Sequence, residues 1–577
     1  MNKLIHSAVL FSIILMASCQ QKPSEKNDTS NENASVYYGG DIITMEGDSA
    51  QYVEAIVEKG GEIVFVGSKE KAMKTAGDNH KMLDLKGKTM LPGFIDAHGH
   101  VFACGIQALA ANLLPPPDGK GASIADLISL TKEWVSKNQK IIDKVGWIIG
   151  FGYDDAQLKE KRHPIATELD QISKEVPIML LHQSGHLATL NSKGLELAGI
   201  TEKSLDPAGG IIRRIKGSKK PEGTLEESAL FGPLFKVFAK IDSSGNASIV
   251  KAGLAAYTKY GFTTAQEGRA SGVVCETIKK MAVAHELPID IYAYPDIQSD
   301  MEYMLKNGTQ ANYKNHFRIA GVKLSSDGAI QGKTAFLTKP YKIPPLGASK
   351  DYRGYPAFPD ANAYNALVDA AYKNNWQIIT HCNGDASGDM YIKAVRLAAN
   401  KYGNKNRRSV MIHAQMVRED QLDSLKALAI IPSFFAMHTF YWGDWHVNET
   451  IGKERAYRIS PAVSTLKRGM IFTQHHDAPV ANPDAFRILH ATVNRVSRTG
   501  EIIGADQRVS AYIALKSITA WAAYQAFEES LKGTLKAGKL ADFVILDKNP
   551  LKIPPMELNT LKVIATIKEG KTVYEVK

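Results

Sequence analysis

The run Met90-Leu91-Pro92-Gly93-Phe94-Ile95-Asp96-Ala97-His98-Gly99-His100 carries an apolar stretch into two histidines one residue apart. In an extended chain such residues point to the same side, so both imidazoles can face one metal ion. Three later segments repeat the idea. Gln377-Ile378-Ile379-Thr380-His381 and Arg408-Ser409-Val410-Met411-Ile412-His413 each close a short apolar run on a histidine. Gly469-Met470-Ile471-Phe472-Thr473-Gln474-His475-His476-Asp477 does the same and adds an aspartate. Any one of these residues could be a hydrogen-bonded core side chain, but the set together points to a shared metal. Imidazole and carboxylate suit zinc or a similar divalent ion. Lys323 lies in the apolar run Phe317-Arg318-Ile319-Ala320-Gly321-Val322-Lys323-Leu324. Burial there lowers a lysine pKa from its ordinary value of about 10.4 and frees a neutral, reactive amine; the alternative is a lysine paired with Asp327 or Asp385. Cys382, beside His381, is better explained by strand packing than by thiol catalysis, and no Gly-x-Ser-x-Gly elbow is present.

Such side chains need a rigid frame. Strand-like runs alternate with helical patterns over Ala361–Lys373 (with Asp360 as N-cap), Asp420–Ala429 and Val509–Ala526, which predicts a parallel sheet covered by helices. Pattern alone does not separate a closed barrel from an open sheet. β-like segments cluster at both ends of the chain: 40–45, 54–58 and 62–67, with Lys59-Gly60-Gly61 as a turn, and again 542–546, 562–567 and 571–574. A sheet completed by both termini is expected. The stretch of about 107–246 does not fit one strand-helix unit and is read as an inserted subdomain.

Composition narrows the classes. Among 577 residues, 44% are hydrophobic and 23% charged, as in a globular protein, which excludes disorder or a collagen-like chain. The net charge of +10 is thin over this length, and no aromatic-interleaved basic stripe is present, so no nucleic-acid partner is expected. At the N-terminus, Lys3 precedes the apolar Ala8 to Ala17, too short for a membrane span but right for a signal sequence. Met16-Ala17-Ser18-Cys19 then leads into a polar run to Ala34. This resembles a bacterial lipoprotein signal, in which Cys19 is lipidated; the alternative is an ordinary cleaved signal. The expectation is an exported enzyme anchored to a bacterial membrane, by resemblance the outer one, with its body in the periplasm or at the cell surface. The three remaining cysteines, Cys104, Cys275 and Cys382, argue against a disulfide framework.

The order of these motifs resembles the amidohydrolase superfamily, and within it amidohydrolase family 3 and the N-substituted formamide deformylase-like branch. The resemblance covers nearly all of the chain after the signal and rests on Gly93–His100, Gly321–Gly328, Thr380–Asp385, Ile412–Gln415 and His476–Val480, with Gly209-Gly210, Pro221-Glu222-Gly223 and Gly538–Phe543. It implies an α/β fold, a distorted (β/α)8 TIM-like barrel with a composite β-sandwich from both termini. The division that follows is signal 1–18, lipid-anchored tether 19–35, sandwich 36–91 with 527–577, barrel 92–106 with 247–526, and insertion 107–246. It also implies one or two divalent ions, zinc above all, held by His98, His100, Lys323, His381, His413 and Asp477, with Lys323 carbamylated and bridging when two are bound. Asp477 would take a proton from metal-activated water, and His381 or His413 would help polarise the carbonyl of an amide or formamide-like substrate. A deaminase is the nearest rival, although Gly384 stands where those enzymes carry a glutamate three residues after the strand histidine. A catalytically inactive binding protein is the rival from another class. The insertion and the loop Pro432–His446, with Phe434, Phe435, His438, Tyr441, Trp442 and Trp445, either roof a pocket for an apolar or aromatic substituent or pack beneath the roof. His182, His186, Arg213 and His475 are candidates for further polar contacts.

Overall fold

A computed structural model describes residues 33–576, apart from 208, 239–240 and 346. The signal-like segment and Cys19 lie outside the described residues. Phe94–Ile95, Phe262–Ala270, Asp290–Pro295 and Phe317–Ile319 pair in parallel as one sheet. Gly321–Ser325, Gln377–Cys382, Val410–His413, Ile431–Phe434 and Thr473–Gln474 pair in parallel as another. The two sheets meet where Asp296 bridges Lys323 and the Ile297 amide donates to the Lys323 carbonyl. Helical crossovers cover parallel strands on both faces, so the strands read as unbroken apolar runs; every residue of Gln377–Cys382 is buried. This mixed α/β arrangement is consistent with the parallel-strand barrel that the resemblance implies.

The helix over Ala361–Lys373 forms as expected, its N-terminus capped by Asp360 accepting from the Asn362 amide at 2.8 Å. The expected helix over Val509–Ala526 is instead two, Ala511–Ser517 and Ala520–Gln525. Thr519 leaves the helical region (φ −130°, ψ −98°), and the freed Ile518 carbonyl accepts from the Ile95 amide at 2.9 Å. Thus the first metal-side strand ends on a helix break more than four hundred residues away.

Within the stretch 107–246, expected from the sequence as an insertion, a separate six-stranded sheet runs from Gly210–Arg214 to Ala111–Asn112, with its own apolar clusters on either side. Both chain ends share an eight-stranded sheet. In it Thr89–Pro92 lies between Ala34–Ile43 and Phe543–Leu546, with Met90 opposite Ile545. The hairpin joining Tyr52–Lys59 to Glu62–Gly67 turns through Gly60 and Gly61, at φ +62° and +83°, which only glycine adopts without strain.

A buried ion network fastens this terminal sheet to the parallel-strand body. Asp290 Oδ2 accepts from Lys532 Nζ at 2.5 Å and Lys568 Nζ at 2.7 Å, while Asp290 Oδ1 meets His316 Nδ1 at 2.7 Å. Lys568 also reaches Asp542, and Lys532 reaches Glu528, which holds Arg318. Although burial opposes its charge, the two lysines and His316 hold the Asp290 carboxyl well below the usual carboxylate range. A depressed folded-state pKa contributes stability that is complete above the unfolded value and is lost as pH falls through the folded one. Removing one partner leaves buried charge uncompensated, so Asp290→Asn is expected to cost about 3–5 kcal/mol. Urea unfolding at pH 7 measures this cost, and the wild-type advantage should shrink in strong acid.

Candidate metal centre

The predicted histidine and aspartate ligands sit at the C-terminal ends of the parallel strands, and Lys323 stands in the middle of Gly321–Ser325. After Phe94–Ile95, Asp96 turns the chain: its Oδ1 accepts from the His98 amide at 3.0 Å, and its Oδ2 from Tyr257 Oη at 3.0 Å and the Gln266 amide at 3.3 Å. Burial pushes the Asp96 carboxyl up to about 8, against these hydrogen bonds. Between the two histidines, a Cβ on Gly99 would lie 2.3 Å from Tyr257 Oη and 2.8 Å from His476 Cε1. Only glycine lets the chain bring both imidazoles round. At the other strand ends, His413 and Asp477 hold positive φ, +67° and +53°, a conformation costing on the order of 1–3 kcal/mol each for residues with a Cβ.

Two of the histidines have tautomers fixed from outside, and a third is tied outward through another imidazole. His98 Nδ1 donates to Gln266 Oε1 at 2.7 Å, and Gln266 is itself oriented by donating Nε2–H to the Ala97 carbonyl at 2.9 Å. His381 Nε2 donates to the Gly328 carbonyl at 3.0 Å. His413 Nδ1 lies 3.2 Å from His475 Nε2, whose own Nδ1 is 2.9 Å from Ser433 Oγ. With their outer nitrogens donating outward, His98 Nε2 and His381 Nδ1 are left as lone pairs, and His413 Nε2 is a third where its Nδ1 donates to His475. Burial, aided by neighbouring cations and imidazoles, holds all three pKa values well below the ordinary histidine range, so the rings are neutral.

Those lone pairs face one another and a carboxylate. His381 Nδ1 and His413 Nε2 are 3.0 Å apart; Asp477 Oδ1 is 3.4 Å from His98 Nε2 and 3.3 Å from His100 Nε2; Lys323 Nζ is 3.1 Å from His98 Nε2. Ligand atoms of His98, His413 and Asp477 all lie within 4.8 Å of one another. Asp477 Oδ1 is buried and has no hydrogen-bond partner. Converging lone pairs around an orphaned carboxylate oxygen are unstable alone and stable around a cation. These clustered His and Asp residues therefore form a candidate divalent-metal site, and the donor set fits zinc-like ions. All six residues expected from the sequence are drawn together here. Neither carboxylate weighed as a partner for Lys323 takes that role: Asp327 accepts from the Asn383, Gly384 and Phe336 amides, and Asp385 from Thr338. Burial lowers the Lys323 pKa to about 7, with Asp477 opposing.

A family model matches residues 81–574 and is that of the amidohydrolase family. The chain belongs to this family. Among curated relatives, this amidohydrolase is 25% identical to the N-substituted formamide deformylase of Arthrobacter pascens, covering 90% of this chain and 95% of that protein. It is 26% identical to Protein LONG AFTER FAR-RED 3 of Arabidopsis thaliana, over 93% and 90% of the two chains. The crystal structure of an uncharacterized metal-dependent hydrolase from Pyrococcus horikoshii OT3 superposes with a TM-score of 0.71 at 23% identity, over 94% of this amidohydrolase and all of that chain.

Other expected contacts land elsewhere. His182 is drawn into the insertion by Asp155, at 3.1 Å, and Arg213 pairs with Glu226 at 2.5 Å. Phe434, Phe435, Tyr441 and Trp442 are buried, and Trp442 Nε1 donates to Asp154 Oδ2 at 2.6 Å, so the loop packs against the insertion. His186 does reach the centre: its ring lies 5.3 Å from that of His381, and Glu227 Oε2 fixes its Nδ1 at 2.7 Å. Gln266, Glu227 and Arg269 are supporting residues that no sequence pattern marks. Because Gln266 alone sets the His98 tautomer, Gln266→Leu should weaken metal binding by roughly 10–100-fold while the fold persists. Competition with a chelator measures that loss.

Proposed function

We propose that this amidohydrolase belongs to the deformylase-like branch and hydrolyses a non-peptide C–N bond, an amide or formamide, with water as nucleophile. The observation that carries the reading is the set of converging lone pairs around the orphaned Asp477 Oδ1. When bound, one or two zinc ions would supply Lewis acidity, lowering the pKa of water toward ~7 and polarising the substrate carbonyl. The protein's part is positional and protonic. His98, His100, His381 and His413 hold the centre. Asp477 takes the proton of the attacking water on its carboxylate and returns it to the leaving nitrogen. His186, steadied by Glu227, stands beside His381 to hold the carbonyl oxygen. Lys323, as a neutral amine, could add carbon dioxide at Nζ with loss of a proton, and as a carbamate it would serve as a further anionic ligand to the metal. The deaminase alternative is disfavoured at Gly384, where a Cβ would lie 1.8 Å from the Phe336 carbonyl oxygen, so the glutamate of that mechanism has no room. Elemental analysis of the purified protein, followed by a hydrolysis screen over formamides and amides, tests the reading; a metal-free protein or a loaded but inert one overturns it.

We read the two parallel sheets as arcs of one distorted (β/α)8 barrel, the terminal sheet as a composite β-sandwich, and about 107–246 as an inserted subdomain. Among the described residues no helix is long and apolar enough to cross a membrane. We propose that acylation of Cys19 anchors the enzyme instead, at the outer membrane by analogy with sorting signals. Two or more acyl chains anchor stably where one binds only marginally. Full-length protein should fractionate with membranes, Cys19→Ala should block normal processing and anchoring, and a chain starting near Ser35 should be soluble. Native protein in the soluble fraction without acyl label returns the reading to an ordinary signal.

A further inference from the structure

Beside the candidate metal centre, Arg269 is the penultimate residue of the strand Phe262–Ala270, and it is the one exposed side chain of that strand. Its neighbour two residues back, Glu267, bridges His100. Its Nε donates to Asp296 Oδ2 at 2.7 Å, and Asp296 is the residue that bridges Lys323 across the seam between the two parallel sheets. The ion pair is one-sided. Asp296 Oδ1 is occupied by the Gln298 and Ser299 amides, at 2.8 and 3.4 Å, and among the described residues the Arg269 Nη atoms have no hydrogen-bond partner. The guanidinium plane lies 5.1 Å from the Phe231 ring of the insertion, which limits its swing. About a third of the side chain remains exposed, at 36%. The residue before Arg269, Gly268, packs directly on the centre: a Cβ there would lie 2.5 Å from His98 Cε1.

An arginine held by its Nε edge, backed by an aromatic ring and leaving its Nη edge open is shaped to accept a carboxylate through two parallel hydrogen bonds. The nearby carboxylates do not compete for it: Glu227 is committed to His186 through Oε2 and to Thr334 through Oε1, and Asp296 is committed as above. We propose that Arg269 is a specificity-determining residue that binds a carboxylate carried by the substrate, so that the enzyme acts on anionic amides in preference to neutral ones. This rests on the amide-hydrolysis reading, which it deepens by naming a substrate class. The substrate's anionic end would meet the Nη edge of Arg269, with Phe231 behind the guanidinium, while its carbonyl sits at the metal.

The test uses the metal-loaded full chain and matched probe pairs: N-formyl and N-acetyl amino acids, and the same compounds with the carboxylate replaced by a carboxamide. The expected result is a wild-type preference in kcat/KM for the carboxylate member that falls by roughly 10–100-fold in Arg269→Met, with an intermediate fall in Arg269→Lys, which keeps the charge and loses the fork. A purely structural role for Arg269 would lower both members alike and leave the ratio unchanged. That result, or a wild type that prefers the carboxamide, overturns the proposal while leaving amide hydrolysis standing. If no probe is cleaved, the hydrolysis reading is what fails, and calorimetric binding of the same pairs decides the proposal: carboxylate-selective binding lost in Arg269→Met supports it, and equal binding of both members overturns it. Arg269→Lys retains a cation beside Asp296, so the measurement stands even where Arg269→Met does not fold.

Discussion

Asp477→Asn is expected to lower turnover by roughly 10²–10⁴-fold, the usual contribution of a positioned general base, while reducing metal content far less. The substitution keeps the shape of the side chain and the chain turn at φ +53°. It removes the negative charge that Asp477 Oδ1 presents to His98 and His100, at 3.4 and 3.3 Å, and the capacity to take a proton. Four imidazoles remain to hold a cation. Stopped-time hydrolysis assays read the turnover, and elemental analysis of the same preparation reads the metal. Equal losses of both would make Asp477 a ligand alone and shift the proton-accepting role elsewhere.

Lys323→Ala is expected to lose most bound metal and, with it, activity by several orders of magnitude. Short carboxylic acids such as formate or acetate should restore part of both. The reason is geometric. Lys323 Nζ stands 3.1 Å from His98 Nε2 at a site whose other members are lone pairs and a carboxylate. An ammonium there would repel the metal, but burial brings the lysine pKa to about 7, so a large share of the side chain is already neutral near pH 7. Carbamate formation turns a repelling group into an attracting one, and a small carboxylate diffusing into the space left by alanine imitates it. Metal content and activity measured against added formate separate this from a lysine that only packs. A fully loaded Lys323→Ala protein would remove the bridging role.

The candidate ligands other than Lys323 were legible in the sequence because each ends an apolar run, and a buried parallel strand leaves its polar residue only at its end. His98, His100, His381, His413 and Asp477 all obey that rule, and Lys323 breaks it by standing within an apolar run. Their supports were not legible. Gln266 and Arg269 lie three residues apart in one strand with no local sign of their different tasks. Gln266 acts through a contact to His98 that spans 168 residues, and Arg269 through one to Asp296. The long helix expected to end at Ala526 failed for the same reason, since its break serves the Ile95 amide, which no local periodicity reports. His182 looked like His186, but the carboxylates Asp154 and Asp155 beside it in space draw it into the insertion. What separated the two histidines was their tertiary company.

The seam between Thr89–Pro92 and Phe543–Leu546 has a consequence for the order of events during synthesis. Met90 leaves the ribosome about 450 residues before its partner Ile545. At roughly 5–20 residues per second, one edge of an apolar strand waits on the order of twenty to ninety seconds for the residues that will cover it. The ion network cannot close earlier either, because Lys568 is added later still. Nascent chains therefore carry an edge open to misplaced strand pairing at Thr89–Pro92, where a holding chaperone would protect it. A chain that stops short of the last three strands would keep the ligand-bearing sheets and still be left with that edge bare.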